Sequence, residues 1–132
     1  MKQIKILLVD DDPDIIKAVQ VILENQHYTV VSANNKTDGL QLANAQKPDL
    51  FILDVMMDAM SDGFDLARDL RKVEVFKNTP IILLTGIDEK TGVNFKSAFG
   101  NTDMLPVDAY IEKPVAPHKL IQEINKLLSK KA

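Results

Sequence analysis

The chain contains no cysteine, which excludes disulfides, thiolate metal sites and a cysteine nucleophile. Its apolar runs are strand-sized and far short of a membrane span, so no membrane insertion is expected. An excess of positive charge is also missing. With a net charge of −3 there is no electrostatic case for direct nucleic-acid binding. Internal repeats and low-complexity segments are absent. The N-terminal Met1-Lys2-Gln3-Ile4-Lys5 leads straight into an apolar run, without the long apolar stretch of a signal peptide, and the expected location is the cytoplasm. What is present is a 132-residue chain, 45% hydrophobic and 27% charged, suited to one globular domain with one well-buried core.

Apolar periodicity then divides the chain. Ile4 to Val9 is nearly continuous in apolar residues, as a parallel strand buried on both faces requires, and it runs into Asp10-Asp11-Asp12-Pro13. Pro13 suits the first turn of a helix, in which Ile15, Val19 and Leu23 form one stripe with Ile16 and Ile22 beside it. Asp12 and Asp14 read as capping and dipole-answering residues of that helix. A short β-rich stretch, Tyr28 to Ser32, precedes a helix capped by Asn34 or Asn35 and running to about Gln46, with Leu40 and Ala43 inward. Pro48 closes that unit, and Leu50-Phe51-Ile52-Leu53 leads to Asp54. A helix from Gly63 to Arg71, a strand from Pro80 to Thr85, a short strand from Val107 to Ile111 and a last helix from Pro117 complete the series. Leu120, Ile124, Leu127 and Leu128 face inward in that last helix.

Strands alternating with helices predict a doubly wound, five-stranded parallel sheet of the flavodoxin-like order 2-1-3-4-5. Such a sheet gathers its functional groups at the carboxyl ends of its strands. Here those ends carry Asp10, Asp11, Asp54, Thr85 and Lys113. Three carboxylates this close repel one another, and a hard divalent cation relieves the repulsion. Oxygen ligands without histidine or cysteine point to magnesium or calcium, with Mg2+ the better fit because it leaves room for a phosphate. Lys113 can pair with a carboxylate or an acyl phosphate. Thr85, followed by Gly86, can donate to a phosphoryl oxygen. Asp54 then becomes an attacking carboxylate of the kind that forms aspartyl phosphates.

Five stretches together resemble the receiver domain of two-component response regulators over residues 1–132. They are Ile6 to Ile15 around Asp10-Asp11-Asp12-Pro13, Leu53-Asp54-Val55-Met56-Met57, Asp62-Gly63-Phe64, Leu84-Thr85, and Tyr110-Ile111-Glu112-Lys113-Pro114. The resemblance implies a phospho-accepting signalling switch rather than an enzyme acting on other substrates. It implies Asp54 as phosphoacceptor, and magnesium held by Asp11 directly, by Asp10 mainly through water, by Asp54 and by the backbone carbonyl of Met56. Thr85 and Lys113 would hold the phosphoryl group, Tyr110 would change rotamer on phosphorylation, and the peptide before Pro114 would be cis. The donor would be a phosphohistidine on a sensor histidine kinase or phosphotransfer protein, and the output would go to a downstream protein.

The chain also departs from that family. Asp58-Ala59 replaces the usual Pro-Gly after the phosphoacceptor strand, and the loop to Gly63 is longer. The stretch from Thr85 to Lys113 is lengthened and broken by Gly92, Gly100, Asn101 and Pro106. It predicts a shortened or irregular fourth helix near Val93 to Phe99, followed by a loop to Val107. Met56 and Ile87 flank the expected phosphoryl position, and neither side chain can orient an attacking water, which predicts slow self-dephosphorylation. Rival readings are a degenerate receiver that signals without phosphorylation, a haloacid-dehalogenase-type phosphatase built on Asp10 and Asp12, and a flavodoxin-like cofactor binder. The phosphatase pattern is spoiled by Asp14, and the cofactor binder by three aspartates where a phosphate loop belongs.

Overall fold

A computed structural model describes residues 3–55, 62–86 and 107–131. The ten described elements are β1 (Lys5–Val9), α1 (Pro13–Asn25), β2 (Thr29–Ala33), α2 (Lys36–Gln46), β3 (Leu50–Asp54), α3 (Asp62–Arg71), a 3-10 turn (Glu74–Phe76), β4 (Ile81–Thr85), β5 (Ala109–Glu112) and α4 (Pro117–Lys131). The strands form one parallel sheet in the order β2-β1-β3-β4-β5, as expected.

Strand alternation sends side chains to two separate layers. Leu7, Val9, Phe51, Leu53, Ile81 and Leu83 pack against α2 and α3 through Ala43, Phe64, Leu66, Ala67 and Leu70. Ile6, Leu8, Leu50, Ile52, Ile82 and Leu84 pack against α1 and α4 through Val19, Leu23, Leu120, Ile124 and Leu127. Helices on both faces explain why β1, β3 and β4 are nearly uniform in apolar residues. Each fully buried leucine or isoleucine contributes about 1.5–3 kcal/mol relative to exposure. The central strands are thereby fixed rigidly beneath the site.

Helix ends follow the local chemistry. Asp12 caps α1, its side chain accepting from the Asp14 N–H at 2.9 Å. Asn35, not Asn34, caps α2, accepting from Asp38 N–H at 2.8 Å. In α2 the innermost positions are Gly39 and Ala43, while Leu40 is only half-buried. A Cβ on Gly39 would stand 3.0 Å from Val9 Cγ2 and 3.3 Å from Leu66 Cδ2, a tight fit that a larger residue could take only if those side chains shifted by a few tenths of an ångström.

Two strand boundaries differ from the expected ones. β2 starts at Thr29, because Tyr28 N–H still closes the end of α1 on Leu23 O and His27 takes a left-handed φ of 67°. β5 runs from Ala109 to Glu112 rather than from Val107 to Ile111, because Asp108 is already tied to the start of β4 by backbone and side chain. The irregular fourth helix expected near residues 93–99 lies outside the described residues.

Candidate functional site

The carboxyl ends of β1, β3 and β4 bring Asp10, Asp54 and Thr85 to one edge of the sheet, and the residue after β5 adds Lys113. Asp10 and Thr85 are fully buried and Asp54 is 4% exposed, while Asp11 faces solvent. Carboxylate oxygens of Asp10, Asp11 and Asp54 all lie within 4.8 Å of one another. Lys113 Nζ stands between two of them, 3.1 Å from Asp54 Oδ1 and 3.2 Å from Asp10 Oδ2. The other Asp10 oxygen accepts from the Asp12 N–H at 2.9 Å, which orients the carboxylate.

Backbone contacts hold these side chains in place. Val55 N–H extends β3 by donating to Leu84 O at 3.0 Å, and Lys113 N–H donates to Thr85 O at 2.6 Å. The Lys113–Pro114 peptide is cis, as the family resemblance implies. Gly63 N–H donates to Val55 O at 2.9 Å. A Cβ on Gly63 would fall 2.2 Å from Asp54 O and 2.6 Å from Val55 Cα. Only glycine allows α3 to start this close to the end of β3. Gly86 is different, since a Cβ there would meet nothing within 4 Å.

Among the described residues, Lys113 is the cation seen against these carboxylates, and it pairs with Asp10 and Asp54. Burial pushes the Asp54 carboxyl up to about 7, and the neighbouring charges of Asp10 and Asp11 add to the rise against the opposing pull of Lys113. Burial disfavours the Lys113 charge, yet Asp54 and Asp10 outweigh it and raise its pKa. Burial leads the Asp54 rise, and an excess of negative charge adds to it and raises the lysine. An all-oxygen donor set carrying that excess fits a hard divalent cation, with Asp10, Asp11 and Asp54 as its holders.

Two hydroxyls complete the site. Thr85 Oγ1 and Tyr110 Oη are buried and find no hydrogen-bond partner among the described residues. Buried polar groups are normally satisfied, so a bare hydroxyl at a strand end beside a lysine suits an incoming oxygen acceptor. Burial also raises the Tyr110 pKa, keeping the phenol neutral.

Six of the seven predicted site residues are therefore described, and five converge: Asp10, Asp11, Asp54, Thr85 and Lys113. Tyr110 lies on β5 with its ring against the α2/α3 layer. Met56, Asp58, Ala59 and Ile87 lie outside the described residues, as does the lengthened segment 87–106. Asp12 caps α1 and so is committed away from the acid–base position a phosphatase reading needs. Sequence reasoning missed Asp108 and Arg71, whose contacts are at the opposite edge of the sheet. In the sequence Asp108 stood inside the expected strand Val107 to Ile111, and nothing linked it to Arg71.

The family model described as "Response regulator receiver domain" matches residues 6–125. Over 94% of its length the chain is 34% identical to the alkaline phosphatase synthesis transcriptional regulatory protein PhoP of Bacillus subtilis, but it spans only 48% of that protein. It is 32% identical to protein PilH of Pseudomonas aeruginosa, covering 95% of this chain and 98% of PilH. Among solved structures it is similar to a CheY-like response regulator receiver domain protein of Methanospirillum hungatei, with a TM-score of 0.81 and 29% identity over 98% of this chain and 96% of that one. The chemotaxis response regulator CheY4 of Vibrio cholerae gives a TM-score of 0.76 and 27% identity, covering 96% and 99%.

Proposed function

The chain belongs to the response regulator receiver domains of two-component systems, and from that premise we propose that residues 1–132 form one receiver domain in which Asp54 accepts a phosphoryl group from a phosphohistidine. The observation that carries this reading is Lys113 Nζ, held 3.1 Å from Asp54 and 3.2 Å from Asp10, with the buried Thr85 hydroxyl lacking a hydrogen-bond partner among the described residues.

In the reaction, an Asp54 carboxylate oxygen attacks phosphorus and a new O–P bond forms. The P–N bond to the donor imidazole breaks, and its electron pair stays on the ring nitrogen, which then takes a proton. Asp10, Asp11 and Asp54 would hold magnesium, with the Met56 backbone carbonyl as the further ligand that the resemblance implies, and the ion when bound would supply positive charge for an anionic phosphoryl group beside three acids. Lys113 moves from pairing with the carboxylates to pairing with a phosphoryl oxygen. Thr85 Oγ1 donates to another. The domain thus promotes its own phosphorylation and its slow loss, and turns over no other substrate.

Drawing Thr85 toward the phosphoryl group frees space for the Tyr110 ring, and the altered face is read by a downstream protein. To invert a 99:1 population, phosphorylation must favour the active state by about 5.5 kcal/mol. The partners are a sensor histidine kinase or phosphotransfer protein upstream and a protein target downstream. We place the domain in the cytoplasm; among the described residues no helix is long and apolar enough to cross a membrane.

Acetyl phosphate with magnesium tests the chemistry. Intact mass should rise by one phosphate in the wild type and not in Asp54→Ala. No gain with or without magnesium would instead support a receiver that signals unphosphorylated.

A further inference from the structure

At the edge of the sheet opposite the site, two aspartates make the same arrangement with two strand pairs. Asp49, just before β3, donates its N–H to Lys5 O at 2.7 Å and accepts the Lys5 N–H on Oδ2 at 2.9 Å. Asp108, just before β5, donates its N–H to Ile81 O at 2.9 Å and accepts the Ile81 N–H on Oδ2 at 2.9 Å. Each aspartate thus closes a two-bond ring on the first residue of the neighbouring strand and fixes which residue pairs with which.

Asp108 carries something more. Its Oδ2 also receives Arg71 Nη2 at 2.9 Å, while Arg71 Nη1 donates to Phe76 O at 2.9 Å and Thr79 O at 2.6 Å. One guanidinium at the end of α3 therefore joins the 3-10 turn, the approach to β4 and the start of β5. Its side chain is 21% exposed and that of Asp108 41%, so the bonds to the two backbone carbonyls are part-buried while the ion pair itself meets water.

β5 needs such an anchor more than any other strand. It is four residues long, lies at the edge of the sheet and, among the described residues, pairs only with β4. Residues 86–108 separate it from β4 in sequence, and a long connection contributes little to register. Slipping by one residue would send every β5 side chain to the opposite face. Tyr110 and Lys113 both take their positions from that register.

We propose that Arg71 and Asp108 are positioning residues for phosphoryl transfer. From about 17 Å along the strand they set the register of β5 and so hold Lys113 Nζ between Asp54 and Asp10. The inference rests on Asp54 being the phosphoacceptor, but its structural half stands apart from that reading.

The test is a double-mutant cycle on the full chain, read as the rate of Asp54 phosphorylation by acetyl phosphate. Arg71→Ala is expected to slow the reaction about tenfold in the wild-type background. In a Lys113→Ala background it should change the rate less than twofold, because the group it positions is gone. Amide exchange supplies the second readout. The Lys113 N–H, bonded to Thr85 O, should lose protection in Arg71→Ala, while the Val55 N–H, bonded to Leu84 O, should keep it. Equal slowing in both backgrounds, or equal loss at both amides, would reduce Arg71 to a general stabiliser and overturn the proposal. Should Arg71→Ala not fold, Asp108→Asn carries the same cycle. If the wild type takes no phosphate the functional reading fails, and the exchange comparison alone decides the register claim.

Discussion

The two edges of this sheet use the same side chain for opposite ends. At the amino edge, Asp49 and Asp108 each accept a backbone N–H at 2.9 Å, and Asp108 is further matched by an arginine. At the carboxyl edge, oxygens of Asp10, Asp11 and Asp54 crowd within 4.8 Å, Lys113 pairs with two of these acids, and two buried hydroxyls have no hydrogen-bond partner among the described residues. An aspartate whose lone pairs are filled by its own chain stabilises the fold. One left with excess charge is poised for something from outside. The difference teaches where to look for chemistry: where polar groups are buried and their balance does not close.

The largest effect that would sharpen this contrast comes from Lys113. Removing a positioned charge from a site that stabilises a transferring group costs about 10²–10³-fold in rate. Lys113→Ala should lose about that much in phosphorylation by acetyl phosphate under saturating magnesium. Circular dichroism and the melting curve should show a folded protein. A rate within threefold of wild type would mean the lysine only neutralises the acids, and the two edges would differ less than their geometry suggests.

A second test uses pH. The Asp54 pKa rises on folding from 3.8 to about 7, so between those values the native state binds more protons than the unfolded chain. Stability must then fall as pH rises from about 4 to 7, by an amount on the order of a few kcal/mol. The Lys113 shift, also upward, is lost only above its own high pKa and does not act in this window. Urea titrations should show the fall in wild type, a flatter profile in Asp54→Asn, and a magnesium stabilisation larger at pH 8 than at pH 5. If Asp54→Asn is no more stable than wild type at pH 8, the carboxyl edge carries no stored repulsion.

The same contrast explains what could be read from the sequence. Apolar runs such as Ile81 to Leu84 mark strands buried on both faces, and the five site residues were legible because parallel topology delivers strand ends to one edge. Val107 was taken for strand because hydrophobicity does not show that Asp108 ties the chain down before the ladder begins. Leu40 and Ala43 do face the core from α2, but periodicity could not show that Gly39, packed tightly against Val9, is buried more deeply than Leu40. Arg71 and Asp108 stand 37 positions apart, and only the folded chain shows them as partners. Charge balance at the site was readable in sign but not in outcome, since burial is the largest contributor to the Asp54 shift.

The smallest effect separates the edges most sharply because it reverses sign. Thr85 Oγ1 is buried without a partner among the described residues, and an unmet hydroxyl costs about 1–3 kcal/mol of desolvation. Valine has nearly the same shape and no hydroxyl. Thr85→Val should therefore make the unphosphorylated domain more stable by about 1 kcal/mol, measured by urea titration. Its aspartyl phosphate, lacking that donor, should form more slowly. At the amino edge, Asp108→Asn should lower stability, because Arg71 and Ile81 N–H both bond to one carboxylate oxygen, and a neutral amide oxygen in its place loses the charge assistance to Arg71. A stabilised Thr85 variant beside a destabilised Asp108 variant would show that one edge stores unmet hydrogen-bonding capacity and the other spends it on the fold. If Thr85→Val is destabilised instead, the hydroxyl is already satisfied in the unphosphorylated domain, and the bare-acceptor argument for its role falls.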